Sequence, residues 1–291
     1  MSQTFQPSAK RGIFFMILAM LIFSVINAIV KDTATQYDPI QLVFFRCFFA
    51  AIPSGIFLVV RRQWTFPSSA DWKVHFKRAF LLAIGLSFLF IGIGKLPLAN
   101  SMALYFSATL FLVILSYPIL QEKIGLTQGG AVVLGLIGVL IIAQPGGDVL
   151  HWGALFVMLG AFMESAFNLY GRLLSSTHNS FVLTFLGSLL PALVILFALP
   201  FVWITPDLEG WFALIFLGLG GGLGQLCVTF AYRHASAGVL APMIYSALIW
   251  SVMLDIMLYG NWPTQSLLLG CGIIIASGLM IVFFEGQRKE A

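Results

Sequence analysis

The sequence predicts an all-α integral membrane protein of ten transmembrane helices, arranged as two inverted five-helix repeats. Three observations predict it: long apolar runs almost free of charge, an uneven distribution of Lys and Arg between alternate loops, and a polar pattern that recurs 141 positions apart.

Of the 291 residues, 60% are hydrophobic and 9% charged, where a soluble domain carries roughly a quarter charged residues. Mean hydropathy is +0.99. The apolar residues come in runs of the length that crosses ~30 Å of hydrocarbon, about 20 helical residues. No separate soluble domain is expected. The first run continues past the usual span of a signal peptide with no small-residue cleavage site after it, so it is read as a retained helix. Charged or turn-rich breaks give segments 12–30, 39–60, 79–94, 98–120, 127–144, 152–170, 181–202, 211–232, 237–259 and 265–284. The longest connection, 61–78, holds Arg61, Arg62, Lys73, Lys77 and Arg78.

Orientation follows from the basic residues. With the N-terminus in the cytoplasm, Lys10, Arg11, Lys123, Arg172, Arg233, Arg288, Lys289 and the five of the 61–78 connection all fall inside. Only Lys31 and Lys95 fall outside, and Arg46 lies within a helix. Lys and Arg are retained on the cytoplasmic side of membrane helices, so both termini are expected there and the protein in the inner (plasma) membrane. The pI of 9.1 then reflects these loops and not a nucleic-acid surface. Trp64, Trp72, Trp152, Trp203, Trp211 and Trp262 fall at segment ends or in loops, as headgroup-level rings do, whereas Trp250 is mid-segment. Cys47, Cys227 and Cys271 are scattered through apolar runs, which suits packing rather than a disulfide or metal framework.

The repeat is visible in two stretches. Ser165–Arg172 reads SAFNLYGR and Ser24–Lys31 reads SVINAIVK, both Ser-x-x-Asn-x-x-x-basic, and Gly12 matches Gly153 at the same spacing. The spacing falls to 139 where YFSATLF (Tyr105–Phe111) lies over IYSALIW (Ile244–Trp250). It is 140 where Gly130 and Gly138 match Gly270 and Gly278. The chain therefore reads as a tandem duplication, 1–147 and 148–291. Five segments is an odd number, so the second unit enters the membrane from the opposite face. Inverted repeats are a recurring plan of secondary transporters, with the solute site at the repeat interface near the midplane. Ser and Asn three residues apart share a helix face. In hydrocarbon they serve either as interhelical hydrogen bonds or as the lining of a cavity.

Two five-helix units resemble the EamA family of the drug/metabolite transporter superfamily. So do the Arg-containing second segment FFRCFFAAIP, an A-x-x-A-like start to the fourth, and the E-K-x-x-x-x-Q link into a glycine-spaced fifth. The resemblance covers essentially the whole chain and implies a ten-helix exporter of small metabolites, often amino acids. The second unit departs from the first: Gly187 stands where Arg46 stands, and Gly260–Asn261 where Glu122 stands.

Three ionisable residues, Arg46, Glu164 and Asp255, fall inside segments, where burial cost directs them toward protein or a watery cavity. Arg46 and Asp255 differ in depth by only ~5 Å at the helical rise, which allows an ion pair. Arg46 otherwise snorkels or meets a substrate carboxylate. Glu164 is either a proton carrier or a neutral hydrogen-bonded packing element. Ser101, Tyr105 and Thr109 form a polar stripe of period four. With Tyr245, Ser246, Trp250 and Gln225 they are the candidate substrate contacts, lining a cavity between the third, fourth, eighth and ninth segments. The glycines of GLGGGLGQ (Gly218–Gln225) have GxxxG spacing, suited to close helix packing. Pro53, Pro118, Pro191 and Pro242 interrupt segments as hinges or static bends.

No Walker or H-E-x-x-H motif is present, which removes direct nucleotide use and the commonest metalloprotease chemistry. His75, His151, His178 and His234 sit at segment ends, where interfacial solvation is expected. No cofactor or metal is called for. The expected partners are a small-molecule substrate and the lipid bilayer, and a monomer suffices. Amino-acid export leads, with nucleobase, vitamin or drug export as the alternative and an intramembrane enzyme behind both.

Overall fold

A computed structural model describes the backbone of residues 9–61, 67–121, 126–143, 152–175 and 178–290, and side chains throughout these except at 69–70, 126–128, 237–238, 241 and 281–290. Arg62, Trp64, Glu122, Lys123 and His151 lie outside the described residues, as do the side chains of Arg288 and Lys289. The described chain is helical, with no strand among the described residues. The helices are α1 (Ala9–Thr33), α2 (Pro39–Arg61), α3 (Ser69–Lys95), α4 (Leu98–Tyr105), α5 (Ala108–Leu120), α6 (Leu126–Ala143) and α7 (Trp152–Leu174). They continue as α8 (Ser180–Leu196), α9 (Leu208–His234), α10 (Ala237–Ile244), α11 (Ser246–Tyr259) and α12 (Gln265–Glu290), with a 3-10 turn at Leu199–Phe201.

Seven helical stretches are long and apolar enough to cross a membrane, and Gly129–Ala143, Ser180–Leu196 and Gln265–Met280 are shorter apolar helices. Large side chains such as Phe14, Val60, Phe80, Leu155, Phe216 and Met257 are exposed on the outside of the bundle. So much apolar surface facing outward marks a molecule whose solvent is lipid.

Local chemistry sets the helix ends. Pro39 opens α2, where its missing N–H costs nothing, and Asp38 Oδ1 accepts from Ile40 N at 2.8 Å. Ser68 and Asp71 form a capping box that starts α3. This start, where the box pairs Asp71 N with Ser68 Oγ and Ser68 N with Asp71 Oδ2, lies ten residues ahead of the expected position 79. Lys73, Lys77 and Arg78 are thus on a helix rather than in a loop.

The expected fourth and ninth segments are each interrupted by a tight turn at which the backbone stays in the right-handed helical region. The breaks fall between α4 and α5 at Phe106–Ser107 and between α10 and α11 at Tyr245, 139 positions apart. Neither coincides with a proline. Pro118 lies in the last turn of α5, and Pro242 precedes the second break by three residues.

The two repeats pack mainly on each other, in matched pairs. α1 and α2 both pack on α9, as α7 and α8 both pack on α3. Similarly α11 packs on α1 as α5 packs on α7, and α6 packs on α12. Glycine makes these approaches close. A Cβ at Gly160 would meet the Gly85 carbonyl oxygen at 2.8 Å, and one at Gly270 would meet the Gly138 carbonyl oxygen at 2.8 Å. The GLGGGLGQ glycines behave likewise: Gly218 and Gly222 lie against Phe45, Phe49 and Ala50 of α2, while Gly220 and Gly224 lie against Ile26 and Phe23 of α1. The bundle has two ends, here named for Tyr37, between α1 and α2, and for His75, near the start of α3.

Candidate functional site

The twin serines mark the centre. Ser24 Oγ in α1 donates to Ala247 O at 3.2 Å, and Ser165 Oγ in α7 donates to Ala108 O at 2.8 Å. Each hydroxyl therefore ties one repeat to the carbonyl just past the helix break of the other. At the breaks themselves, the rings of Phe106 and Tyr245 lie 5.1 Å apart, tilted by 33°. Ser107 Oγ, Ser246 Oγ and Trp250 Nε1 are buried there without hydrogen-bond partners. Three idle polar groups at a pair of helix breaks is where a solute with polar atoms is needed, since buried polar groups are otherwise paired.

A trio of ionisable side chains adjoins the first break. Tyr105 is the last residue of α4, and its hydroxyl lies within electrostatic reach of the Glu164 carboxylate. Arg46 lies within electrostatic reach of both. Its guanidinium rests on Gly221 of α9, where a Cβ would collide with it. Arg46 and Glu164 do not close into a contact ion pair. All three are partly buried.

The other candidates are placed as follows. Asp255 is 1% exposed, accepting from Ala99 N at 2.7 Å and from Asn261 Nδ2 at 3.2 Å. It thus caps α4 from across the repeat interface and is not the partner of Arg46. A cavity of about 300 Å³ beside it, lined by Asn100, Asn261, Trp262 and Thr264, belongs to the Tyr37 end. It stands about 15 Å along α11 from the break at the helical rise. Ser101 is fully buried and donates to Pro97 O at 3.1 Å, and Thr109 donates to Phe106 O at 2.8 Å. The helix break separates them, so the expected continuous stripe is not one face. The Tyr245 hydroxyl abuts Gly278 of α12. Gln225 is exposed, and so is Asn168, whereas its twin Asn27 donates to Met102 Sδ at 3.1 Å.

The histidines depart from expectation. His75 is 1%, His234 6% and His178 9% exposed, because neighbouring helices cover the ends on which they sit. The His75 and His178 rings are 5.2 Å apart, and His178 Nε2 is 3.8 Å from Asp71 Oδ2. Arg78, expected in a loop, is also buried here. Sequence reasoning missed Ser107 as well, although it aligns with Ser246 in the quoted stretches. Among the described residues, no group of three His, Cys, Asp or Glu is gathered as metal ligands are.

A family model described as the EamA-like transporter family matches residues 10–144 and again 151–283. Among curated relatives, an S-adenosylmethionine uptake transporter of Rickettsia bellii is 26% identical, covering 96% of each chain. A riboflavin transporter of Vibrio cholerae is 27% identical over 96% of this chain and 95% of its own. A pseudopaline exporter of Pseudomonas aeruginosa is 25% identical over 94% of each. A crystal structure superposes with TM-score 0.67 over 96% of this chain and 98% of its own, at 16% identity, a likeness of fold alone.

Proposed function

The chain belongs to the EamA-like transporter family, a multi-pass membrane protein, and on that premise we propose that it carries a small amphipathic organic solute by alternating access. Ten membrane crossings, two inverted repeats and cytoplasmic termini complete this reading, supported by the matched helix pairs and the loop charges. One observation carries it: Arg46, Tyr105 and Glu164, partly buried and within electrostatic reach of one another, adjoin a pair of opposed helix interruptions where Ser107 Oγ, Ser246 Oγ and Trp250 Nε1 are buried without hydrogen-bond partners. Transporters of this plan hold solute at the repeat interface near the midplane.

The gap between Arg46 and Glu164 suits a solute with an anionic and a cationic end, as an amino acid has. The guanidinium fork takes the carboxylate, and Glu164 faces the ammonium. Tyr105 and Trp250 offer aromatic faces to the apolar part, with cation–π attraction worth ~0.5–2 kcal/mol to a charged amine. The idle hydroxyls of Ser107 and Ser246 meet remaining polar atoms. The relatives differ in both solute and direction, so export of amino acids is the reading of this site and of the orientation, not an inheritance. The riboflavin transporter favours a vitamin as the second reading.

The test is solute flux in liposomes, across a panel of amino acids, riboflavin, S-adenosylmethionine and nucleobases. Amino-acid exchange is expected, with apparent KM raised by Trp250→Ala and Tyr105→Phe. Glu164→Gln is expected to lower pH-driven net flux while exchange of solute for solute persists. Unaltered constants in all three variants place the site elsewhere, and no flux of any solute removes the reading.

A further inference from the structure

Arg78 is a buried cation that the site at the helix breaks does not use. It lies on α3 between α7 and α8 and is 5% exposed. Its Nε donates to Phe167 O at 3.4 Å, and its guanidinium carbon stands 4.4 Å from the centroid of the Phe167 ring. Its Nη1 has no hydrogen-bond partner. Two glycines make room for it: a Cβ at Gly171 would come within 3.0 Å of Nη2, and one at Gly187 within 3.6 Å. One turn earlier on the same face of α3, His75 is also buried, with Nε2 unpartnered. A buried charge with an idle N–H is costly. Beside a second idle nitrogen, it describes a place where an acceptor is missing.

The two repeats give this place a meaning. α2 begins at Pro39 and α8 at Ser180, so Arg46 and Gly187 occupy the same position on their helices, 141 apart. The Arg46 guanidinium reaches from α2 onto Gly221 of α9, and the Arg78 guanidinium reaches from α3 toward Gly187 of α8. Each repeat thus holds one guanidinium at the same place on its second helix, supplied from opposite partners. One lies in the Tyr37 half of the bundle and the other in the His75 half.

We propose that Arg78, with His75, is a second carboxylate-binding station on the His75 side of the path, receiving the anionic end of the solute that Arg46 holds. The proposal rests on the transporter reading of the site. A carboxylate fits better than a phosphate. It is planar, matches the guanidinium fork, and its single charge is balanced by one guanidinium. A dianion beside Asp71 is not. Phe167 covers one face of the guanidinium, and parting of α3 from α7 and α8 admits the solute.

The test uses the wild-type protein and an arginine reagent, phenylglyoxal, with modification at each arginine read by peptide mass spectrometry. Benzoate is the carboxylate probe, and benzamide is its neutral counterpart of the same shape. Arg78 is expected to be modified, and to be protected by benzoate but not by benzamide. The free-site fraction falls as 1/(1 + [L]/Kd), so benzoate at about twice its Kd slows modification about threefold. Arg61, exposed at the end of α2, is expected to react at an unchanged rate. Arg78 left unmodified, or slowed equally by both probes or by neither, makes it a structural pin and overturns the station. Flux without benzoate protection removes only the station. Protection without flux of any solute keeps the site and removes the transporter reading.

Discussion

Ser24 and Ser165 carry the same letter for the same purpose, each bonding across the repeat interface to a carbonyl beside a helix break. Their Asn partners do not: Asn27 is engaged with Met102 Sδ, whereas Asn168 is exposed. Ser165 Oγ has one proton for two acceptors, Ala161 O at 2.7 Å and Ala108 O at 2.8 Å, while Ser24 reaches Ala247 O at 3.2 Å. Interhelical hydrogen bonds in membranes average about 0.6 kcal/mol and reach about 1.7. Ser165→Ala is expected to cost toward the upper part of that range and Ser24→Ala less, as read from unfolding in detergent. The reverse order would show that bond length is not what ranks them.

At the scale of the element, glycine decides which helices meet. A Cβ at Gly222 of α9 would lie 2.6 Å from the carbonyl oxygen and 2.9 Å from the Cα of Ala50, backbone atoms that cannot swing aside. Gly222→Ala is therefore expected to separate α9 from α2, at an overpacking cost of about 1–3 kcal/mol or more. A Cβ at Gly129 of α6 would meet nothing within 4 Å, and there alanine is the better helix former by about 1 kcal/mol. Gly129→Ala is expected to leave thermal stability unchanged or raised. Equal loss in both variants would mean that helix propensity, not close approach, sets the effect. The breaks in the fourth and ninth segments belong to this scale as well. Both sit where hydroxyl and aromatic residues follow one another, Phe106–Ser107 and Tyr245–Ser246, and not at the prolines.

Across the whole molecule, each repeat completes the other. α1 and α2 are covered by α9, and α7 and α8 by α3, so the apolar faces of one half are buried chiefly by its partner. The proposed inverted arrangement puts the 61–78 connection and the α11–α12 turn on opposite sides of the membrane. Ser68 and Asn261 are both exposed and report on it. Single cysteines placed there are expected to react with an impermeant thiol reagent from the cytoplasmic side at Ser68 and from the external side at Asn261. Reversed labelling inverts the orientation, and labelling of both from one side removes the inverted repeat.

The membrane class, the duplication and the close-packing role of Gly218–Gly224 were legible in the chain because each depends on local pattern. Hydropathy, repeat spacing and small-residue spacing need no knowledge of neighbours. Glu164 and Tyr105 could be named as polar residues in apolar runs, but not as neighbours. Distances between helices far apart in sequence are set by how the two repeats interlock. The same holds for Asp255, which depth along the chain allowed as an ion-pair partner of Arg46 and which instead caps the N–H of Ala99 in α4. It holds most for Gly187 and Arg78. The sequence marks Gly187 as a position where a basic residue is missing. Only tertiary packing shows that a guanidinium from the other repeat lies against it, because the residue on a helix says nothing about which side chain arrives from across the interface.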